Sequence, residues 1–230
     1  MALLVRIDVD RPYGRAPLLR HLASRVSSDI GLPTIEALGY LRELAQMLDL
    51  LRARRVRAHV FFRRCTLPSG RVLDMIDSGG HHVGLHLEDS RSFDTFLAEK
   101  KNLERHSRRE VTSMSKHGSG GHKYGRRHHA PYEPGKYLQW AEKAGVDLVL
   151  GNLEDPTLPD ERPSARLRWF PAAFWLEPHW RDTRRFDVPW LVEHARHRDI
   201  VLLVHPENVL ADRMLEADFL RIVESCEIAS

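Results

Sequence analysis

The sequence predicts a single α/β domain in which parallel strands alternate with helices. Three observations predict it: seven strand-like segments occur along the 230 residues, amphipathic segments separate most of them, and no repeat or low-complexity linker divides the chain. Parallel neighbours need crossover connections, which the intervening helices supply. An open doubly wound sheet and a closed barrel both satisfy this pattern, with residues 1–230 as one domain.

The first half of the chain contains four predicted strands. "LLVRIDV" (3–9) is the first, and a helix with a Thr34 cap and leucines at helical spacing follows over 34–55. "RAHVFFRR" predicts the second strand, "RVLDMIDSGG" a short helix ended by glycines, and "HHVGLH" the third strand. A helix from about 92 to 106 and the strand "VTSMSKH" complete this half.

The second half contains the other three strands. After a loop over 117–134, "GKYLQWAEKAG" predicts a helix and "VDLVL" the fifth strand. "LRWFPAAFW" predicts the sixth strand despite its proline, and "DIVLLVHP" predicts the seventh, after a helix near 188–198. A last helix covers roughly 212–224.

Composition excludes several classes of protein. The net charge is +3 and the aromatic residues are not interleaved with basic ones, so the sequence predicts no nucleic-acid partner. The cysteines, Cys65 and Cys226, form no CxxC pair, and no apolar run approaches the roughly 20 residues that span a bilayer. Because "MALLVRIDVDRP" does not resemble a secretory signal, we expect a cytoplasmic protein without integral membrane contact.

Acids and histidines fall at the carboxyl ends of four predicted strands. These residues are Asp8, Asp10, His86, Glu88, His117 and His205. In a barrel of parallel strands, side chains from distant parts of the chain converge at this rim, and active sites lie there. The sequence therefore predicts a functional site at the carboxyl ends of the strands.

Asp8 and Asp10 alternate along one strand, so both point to the same side of it. Two adjacent carboxylates repel each other unless a cation relieves the repulsion. One of them can then bind a metal while the other acts as a base, and the spacing leaves open which does which.

The histidines differ in what their positions predict. His86 is a candidate ligand at a strand end, whereas His81 and His82 precede it and suit a structural role. Glycines that let the backbone fold closely follow His117, and His122, His128 and His129 lie in a loop that equally suits a solvated surface. One carboxylate and two imidazoles suit Zn²⁺ or another divalent transition metal, and the chemistry indicated is hydrolysis by metal-activated water.

Five segments in order carry a resemblance to a known family. They are "RIDVDRPYG", "AHVFF", "GGHHVGLHLE", "HHAPYEPGKYLQWAEKAGVDLVL" and "VLLVHPENV". Together they resemble the metal-dependent polysaccharide deacetylases of carbohydrate esterase family 4, over about residues 3–209. The resemblance implies a deformed (β/α)7 TIM-like barrel and removal of an N-acetyl group from an amino sugar.

The resemblance also implies roles for individual residues. Asp8 matches the catalytic base, and Asp10 matches the metal-binding aspartate. His86 matches the first metal histidine, and His205 the general acid towards the leaving amine. Pro131 and Tyr132 match the "PY" of the third motif.

The sequence departs from the family pattern in three places. Val9 separates the two aspartates, which usually adjoin. Ser90 stands where the second metal histidine is usual, so we expect a histidine from the next strand to replace it, His117 first and His122 second. The third motif has His129 in place of the arginine that orients the base, and Arg127 or Arg11 is predicted to take over that task.

Several partners and alternatives follow. Glu88 is either a neighbour of the metal ligands or an extra ligand, and Zn²⁺ is preferred over Co²⁺, Ni²⁺ and Mn²⁺. A cytoplasmic enzyme would act on a nucleotide-linked or lipid-linked precursor of a surface polysaccharide such as an O-antigen, whose diphosphate would suit 29 arginines against 6 lysines. A hydrolase of a non-sugar amide and a non-catalytic carbohydrate-binding relative remain alternatives.

Overall fold

The computed structural model describes residues 2–10, 18–19, 22–24, 26, 41–121 and 128–229. They form one sheet of eight strands, surrounded by helices. The strands are β1 (Leu3–Val9), β2 (His59–Phe62), β3 (His82–Leu87), β4 (Ser113–Lys116), β5 (Leu148–Leu153), β6 (Arg168–Ala172), β7 (Phe174–Trp175) and β8 (Ile200–Val204). The helices are α1 (Leu41–Ala53), α2 (Gly70–Gly79), α3 (Phe93–Ser107), α4 (Pro134–Lys143), α5 (Val188–His194), α6 (Pro206–Ala211) and α7 (Arg213–Ser225).

All neighbouring strands pair in parallel, in the order β6-β5-β4-β3-β2-β1-β8-β7. This is a nearly closed α/β barrel in a single domain, as the sequence and its family resemblance predict. Because parallel strands all end at the same rim, the residues that follow β1, β3, β4 and β8 are brought together there.

The predicted sixth strand is divided in two. β6 pairs with β5 at one edge of the sheet and β7 pairs with β8 at the other, although only Ala173 separates β6 from β7. This one stretch therefore joins both edges of the sheet, which is why seven predicted strands are observed as eight. Pro171 is tolerated because it lies in an edge strand, and Gly151 allows the close approach of β5, since a Cβ there would lie 2.1 Å from the Pro171 oxygen.

Local sequence signals explain where the helices begin and end. In α1, buried leucines recur at positions 41, 44, 48 and 51, whereas its predicted start at Thr34 lies outside the described residues. Ser92 and Thr95 form a capping box at the start of α3, and Gly80 ends α2 with a φ of 65°. Within the described residues, no helix is both long and apolar enough to span a bilayer.

The side chains on the two faces of β1 pack in different parts of the protein. Leu3, Val5, Ile7 and Val9 belong to the large core between the sheet and its helices. Leu4 belongs to a second apolar cluster formed almost wholly of strand residues, which lies inside the barrel. The alternation places Arg6, Asp8 and Asp10 on that interior face, from Leu4 towards the rim. Because buried charges are costly unless paired, each of these three side chains must find a partner inside the barrel.

Candidate active site

Three predicted metal ligands meet at the rim of the barrel. Asp10 follows β1, His86 lies in β3 and His117 follows β4, and each offers a ligand atom within 4.8 Å of the others. His117 Nδ1 lies 3.2 Å from His86 Nε2 and 3.3 Å from Asp10 Oδ1. All three residues are buried. The barrel thus brings together a carboxylate and two imidazoles from three separate strands.

The protonation of both histidines suits metal binding. Burial lowers the pKa of His86 and of His117 well below the usual histidine value, so both rings are neutral and each has a nitrogen lone pair to offer. Ser115 Oγ lies 2.7 Å from His86 Nδ1, which leaves Nε2 facing the carboxylates. A ligating histidine typically has its other nitrogen fixed in this way. The donor set therefore fits a divalent transition metal, which these three residues could hold.

Asp8 is held by a buried arginine that the sequence analysis missed. Arg6 Nε donates to Asp8 Oδ1 at 2.9 Å and Arg6 Nη2 donates to Asp8 Oδ2 at 2.6 Å. The same guanidinium donates to the Gly151 carbonyl and to Asn152 Oδ1. Arg6 thus makes the kind of contact with Asp8 that was predicted for Arg127 or Arg11, both of which lie outside the described residues. An arginine in the strand "LLVRIDV", two positions before Asp8, was the available signal.

Arg63 is a second buried arginine that the sequence analysis missed. It directly follows β2, and its guanidinium bridges two acids: Nη1 donates to Asp10 Oδ1 at 2.9 Å and Nη2 to Glu88 Oε1 at 2.6 Å. Glu88 is not a member of the group of potential ligands formed by the described residues. Of its two predicted roles, the contact with Arg63 favours that of a neighbour to the ligands.

His205 stands on the other side of Asp10. Its Nε2 lies 3.9 Å from Asp10 Oδ2, and its Nδ1 lies 2.8 Å from Glu177 Oε1, which also accepts from Asn208 Nδ2. Burial acts to lower the pKa of His205, but the carboxylate of Glu177 outweighs it and raises the pKa to about 10. His205 is therefore a cation at neutral pH. Glu177, in the loop after β7, was not identified from the sequence.

Three further predicted residues within the described part of the chain, His129, Pro131 and Tyr132, lie around this cluster. Ser90 Oγ lies 3.1 Å from His129 Nδ1, so His129 contacts the position at which the family resemblance implies a metal histidine. Tyr132 OH accepts from the Asn152 N–H, and the Pro131 carbonyl accepts from Tyr137 OH. His122 lies outside the described residues. The structure brings the "PY" segment to the arginine network through Asn152, without a direct contact to Asp8.

His81 and His82 lie at the other end of β3 from His86. His81 Nδ1 accepts from the Ala58 N–H at 3.1 Å, and His82 stacks on His59 with ring centroids 4.7 Å apart. Both contacts join β3 to β2 at the start of the strands. The structural role predicted for these two histidines agrees with their distance along the strand from the candidate site.

The Glu177–His205 pair gives a testable expectation. In metal-free protein, Glu177→Gln should lower the pKa of His205 from about 10 towards the ordinary 6.5, because the neutral amide no longer favours the cation. Since the pKa is raised on folding, the pair stabilises the fold fully below pH 6.5, and this contribution is lost as the pH rises through about 10. NMR titration of the imidazole would measure both values. Glu224→Gln, at an exposed glutamate, is the control, and a pKa near 6.5 in the unaltered protein would contradict the expectation.

Comparison with known proteins identifies solved structures that share this fold. No protein-family model and no curated protein sequence matches the chain. Among solved structures, a carbohydrate esterase family 4 pseudoenzyme from Bacillus anthracis is similar, with 13% identity and a TM-score of 0.52 over 99% of this chain and 62% of that chain. A mutant of the same pseudoenzyme with restored enzymatic activity gives 14% identity and a TM-score of 0.50, over 97% of this chain and 62% of that one.

A peptidoglycan deacetylase from Bacillus subtilis matches with 14% identity and a TM-score of 0.46, over 99% of this chain and 85% of that chain. The chain spans about 62% of the length of the first two structures. At these identities the comparison concerns the fold: the chain has the fold of carbohydrate esterase family 4 structures, which the five sequence segments predicted.

Proposed function

We propose that this protein is a metal-dependent hydrolase that removes the N-acetyl group from an amino sugar. One observation carries the proposal: the candidate ligands Asp10, His86 and His117 lie between two groups suited to proton transfer. On one side, Asp8 Oδ2 lies 3.5 Å from His86 Nε2, and on the other, His205 Nε2 lies 3.9 Å from Asp10 Oδ2. Amide hydrolysis needs a base for the attacking water and an acid for the leaving nitrogen.

Asp10, His86 and His117 would hold the ion. When bound, a divalent metal would supply Lewis acidity and lower the pKa of water towards neutrality. Two imidazoles and a carboxylate suit Zn²⁺ best, with Co²⁺, Ni²⁺ and Mn²⁺ as alternatives. The membership of Asp10, and not Asp8, in the group of potential ligands supports Asp10 as the ligand and Asp8 as the base.

Asp8 accepts the proton of the attacking water. Arg6 holds its carboxylate through both oxygens, which keeps it oriented and leaves the second lone pairs of those oxygens available. Arg6 is itself held by Asn152 Oδ1 and by the Leu150 and Gly151 carbonyls of β5, so both partners of this ion pair are fixed inside the barrel. Such fixed geometry is what makes proton transfer by a side chain effective.

His205 donates a proton to the departing nitrogen. Its raised pKa means that it carries this proton at neutral pH, and Glu177 holds Nδ1 so that Nε2 faces Asp10. After the transfer, the neutral imidazole remains hydrogen-bonded to Glu177. Glu177 thus keeps the acid protonated before the reaction, and Arg6 keeps the base oriented.

The substrate we propose is a nucleotide-linked or lipid-linked N-acetyl amino sugar, a precursor of a surface polysaccharide such as an O-antigen. The excess of arginine over lysine supports a diphosphate-bearing substrate, because guanidinium groups bind phosphate oxygens in pairs.

A second candidate function is carbohydrate binding without turnover. Two observations favour it: Ser90 stands where the family resemblance implies a metal histidine, and a solved structure of similar fold is a pseudoenzyme. The two functions differ in one measurable respect, the release of acetate.

Acetate release from a panel of substrates tests the proposal. We expect release from a sugar diphosphate such as a nucleoside diphosphate N-acetylhexosamine, faster than from the free N-acetyl sugar, and only after Zn²⁺ is added to chelator-treated protein. A simple N-alkyl acetamide tests the non-sugar alternative and should release none. Binding of the sugar with no acetate from any member of the panel would instead establish the non-catalytic function. Equal rates for the free and diphosphate-linked sugars would remove the diphosphate from the proposed substrate.

A further inference from the structure

Arg63 is fully enclosed next to the candidate metal ligands. Its side chain is 2% exposed, and those of its partners Asp10 and Glu88 are 7% and 6% exposed. A buried guanidinium between two buried carboxylates forms a triad that carries one net negative charge. Groups buried in this way stay charged only while each is paired, so the three side chains constrain one another.

The backbone around this triad is also fixed. The Arg63 N–H donates to Thr66 Oγ1, and the Thr66 hydroxyl donates to the Val9 carbonyl of β1, next to Asp10. On the other side, the Glu88 N–H donates to Glu99 Oε2 at 2.9 Å. Glu99 belongs to α3, so a continuous set of contacts runs from that helix through Glu88 and Arg63 to Asp10.

We propose that Arg63 is a positioning residue for the metal ligand Asp10, and that Glu88 holds Arg63 without binding the ion. This inference rests on the metal centre proposed above. A planar guanidinium has paired donors in a fixed geometry, so it can orient one carboxylate by means of another. Nη1 meets Asp10 Oδ1, the oxygen that lies 3.3 Å from His117 Nδ1, and thereby fixes the carboxylate towards the histidines.

Two variants distinguish the effect of the geometry of Arg63 on Asp10 from the effect of its positive charge. Arg63→Lys keeps the positive charge and loses the paired donors. Arg63→Met combined with Glu88→Met removes one charge of each sign, so the net charge of the triad is unchanged, and replacement of a buried ion pair by apolar side chains is commonly compatible with folding. Arg91→Lys is the matched control, since Arg91 pairs with Asp89 and is largely exposed.

Competition with a chromogenic chelator gives the Zn²⁺ affinity of each protein, with thermal unfolding as the check of folding. We expect Arg63→Lys and the double variant to bind Zn²⁺ about 10–100-fold more weakly, as is usual when a partner of a metal ligand is lost, and Arg91→Lys to bind as the unaltered protein does. In Glu88→Gln the amide oxygen can still accept the hydrogen bond from Arg63 Nη2, so Asp10 should stay oriented. The visible absorption spectrum of bound Co²⁺ should then keep the bands of the same coordination number, because Glu88 is not a ligand.

Unaltered Zn²⁺ affinity in the double variant would overturn the positioning role. A Co²⁺ spectrum in Glu88→Gln that shows a lower coordination number would make Glu88 a ligand and overturn that role as well. Both results would leave the metal centre standing. An unaltered protein that binds neither ion would overturn the metal centre itself and, with it, the role of Arg63.

Discussion

Asp8→Asn is expected to reduce hydrolysis by about 10²–10⁴-fold, the usual contribution of a positioned general base, while the protein keeps its metal. Asparagine has nearly the shape of aspartate and still accepts a hydrogen bond from Arg6 through its amide oxygen, but it cannot take a proton from water. The steady-state rate of acetate release and the metal content from elemental analysis, measured on the same preparation, check both parts.

Asp10→Asn is the matched control for this experiment. It should lose metal, because Asp10 belongs to the group of potential ligands and Asp8 does not. If Asp8→Asn empties the site while Asp10→Asn retains the ion, the two aspartates have exchanged the roles assigned to them. The comparison thereby answers the question that the spacing "DVD" leaves open.

His117→Ala is expected to weaken Zn²⁺ binding by about 100-fold or more. Loss of a residue that only contacts a metal ligand typically costs about 10–100-fold in affinity, and loss of a ligand itself should cost at least the upper end of that range. Its ring supplies one of three donors, and Asp10 and His86 alone do not enclose an ion. The measurement is chelator competition with Zn²⁺, and no substrate is needed for it.

Two histidine variants provide the comparison. His82→Ala alters an exposed histidine at the other end of β3 and should leave the affinity unchanged. His122→Ala tests the second residue that the sequence analysis named as a replacement for the absent histidine at position 90. If His122→Ala loses the ion and His117→Ala retains it, the ligand assignment is wrong.

The order of strands and helices was predictable from local pattern. Hydrophobic spacing predicted α1, and the helix predicted from about 92 to 106 is observed as α3. Two elements depart from the prediction. The short helix α6 was not predicted, and "LRWFPAAFW", which has the composition of one strand, is divided into β6 and β7 because it pairs with different neighbours. Strand composition does not encode which edge of a sheet a segment joins.

The candidate site was predictable where its residues lie at strand ends. Asp8, Asp10, His86, His117 and His205 share that position, and parallel strands must bring such residues to one rim. The sequence analysis missed three residues that do not share this position: Arg6, Arg63 and Glu177. For an arginine within a strand or a glutamate in a loop, no local pattern identifies the residue with which it will pair. Apart from Asp8, which is two positions from Arg6, their partners lie far along the chain: Asn152 is 146 positions from Arg6, and Asp10 is 53 positions from Arg63.

The sequence by itself therefore determined the kind of fold and the chemistry-bearing residues, because periodicity and residue type are local properties. Only the tertiary structure decided which charge pairs with which: Arg6 with Asp8, Arg63 with Asp10 and Glu88, and Glu177 with His205. The physical reason is burial. Inside the barrel an unpaired charge is too costly to persist, so the partners are selected by the three-dimensional enclosure and not by their distance in sequence.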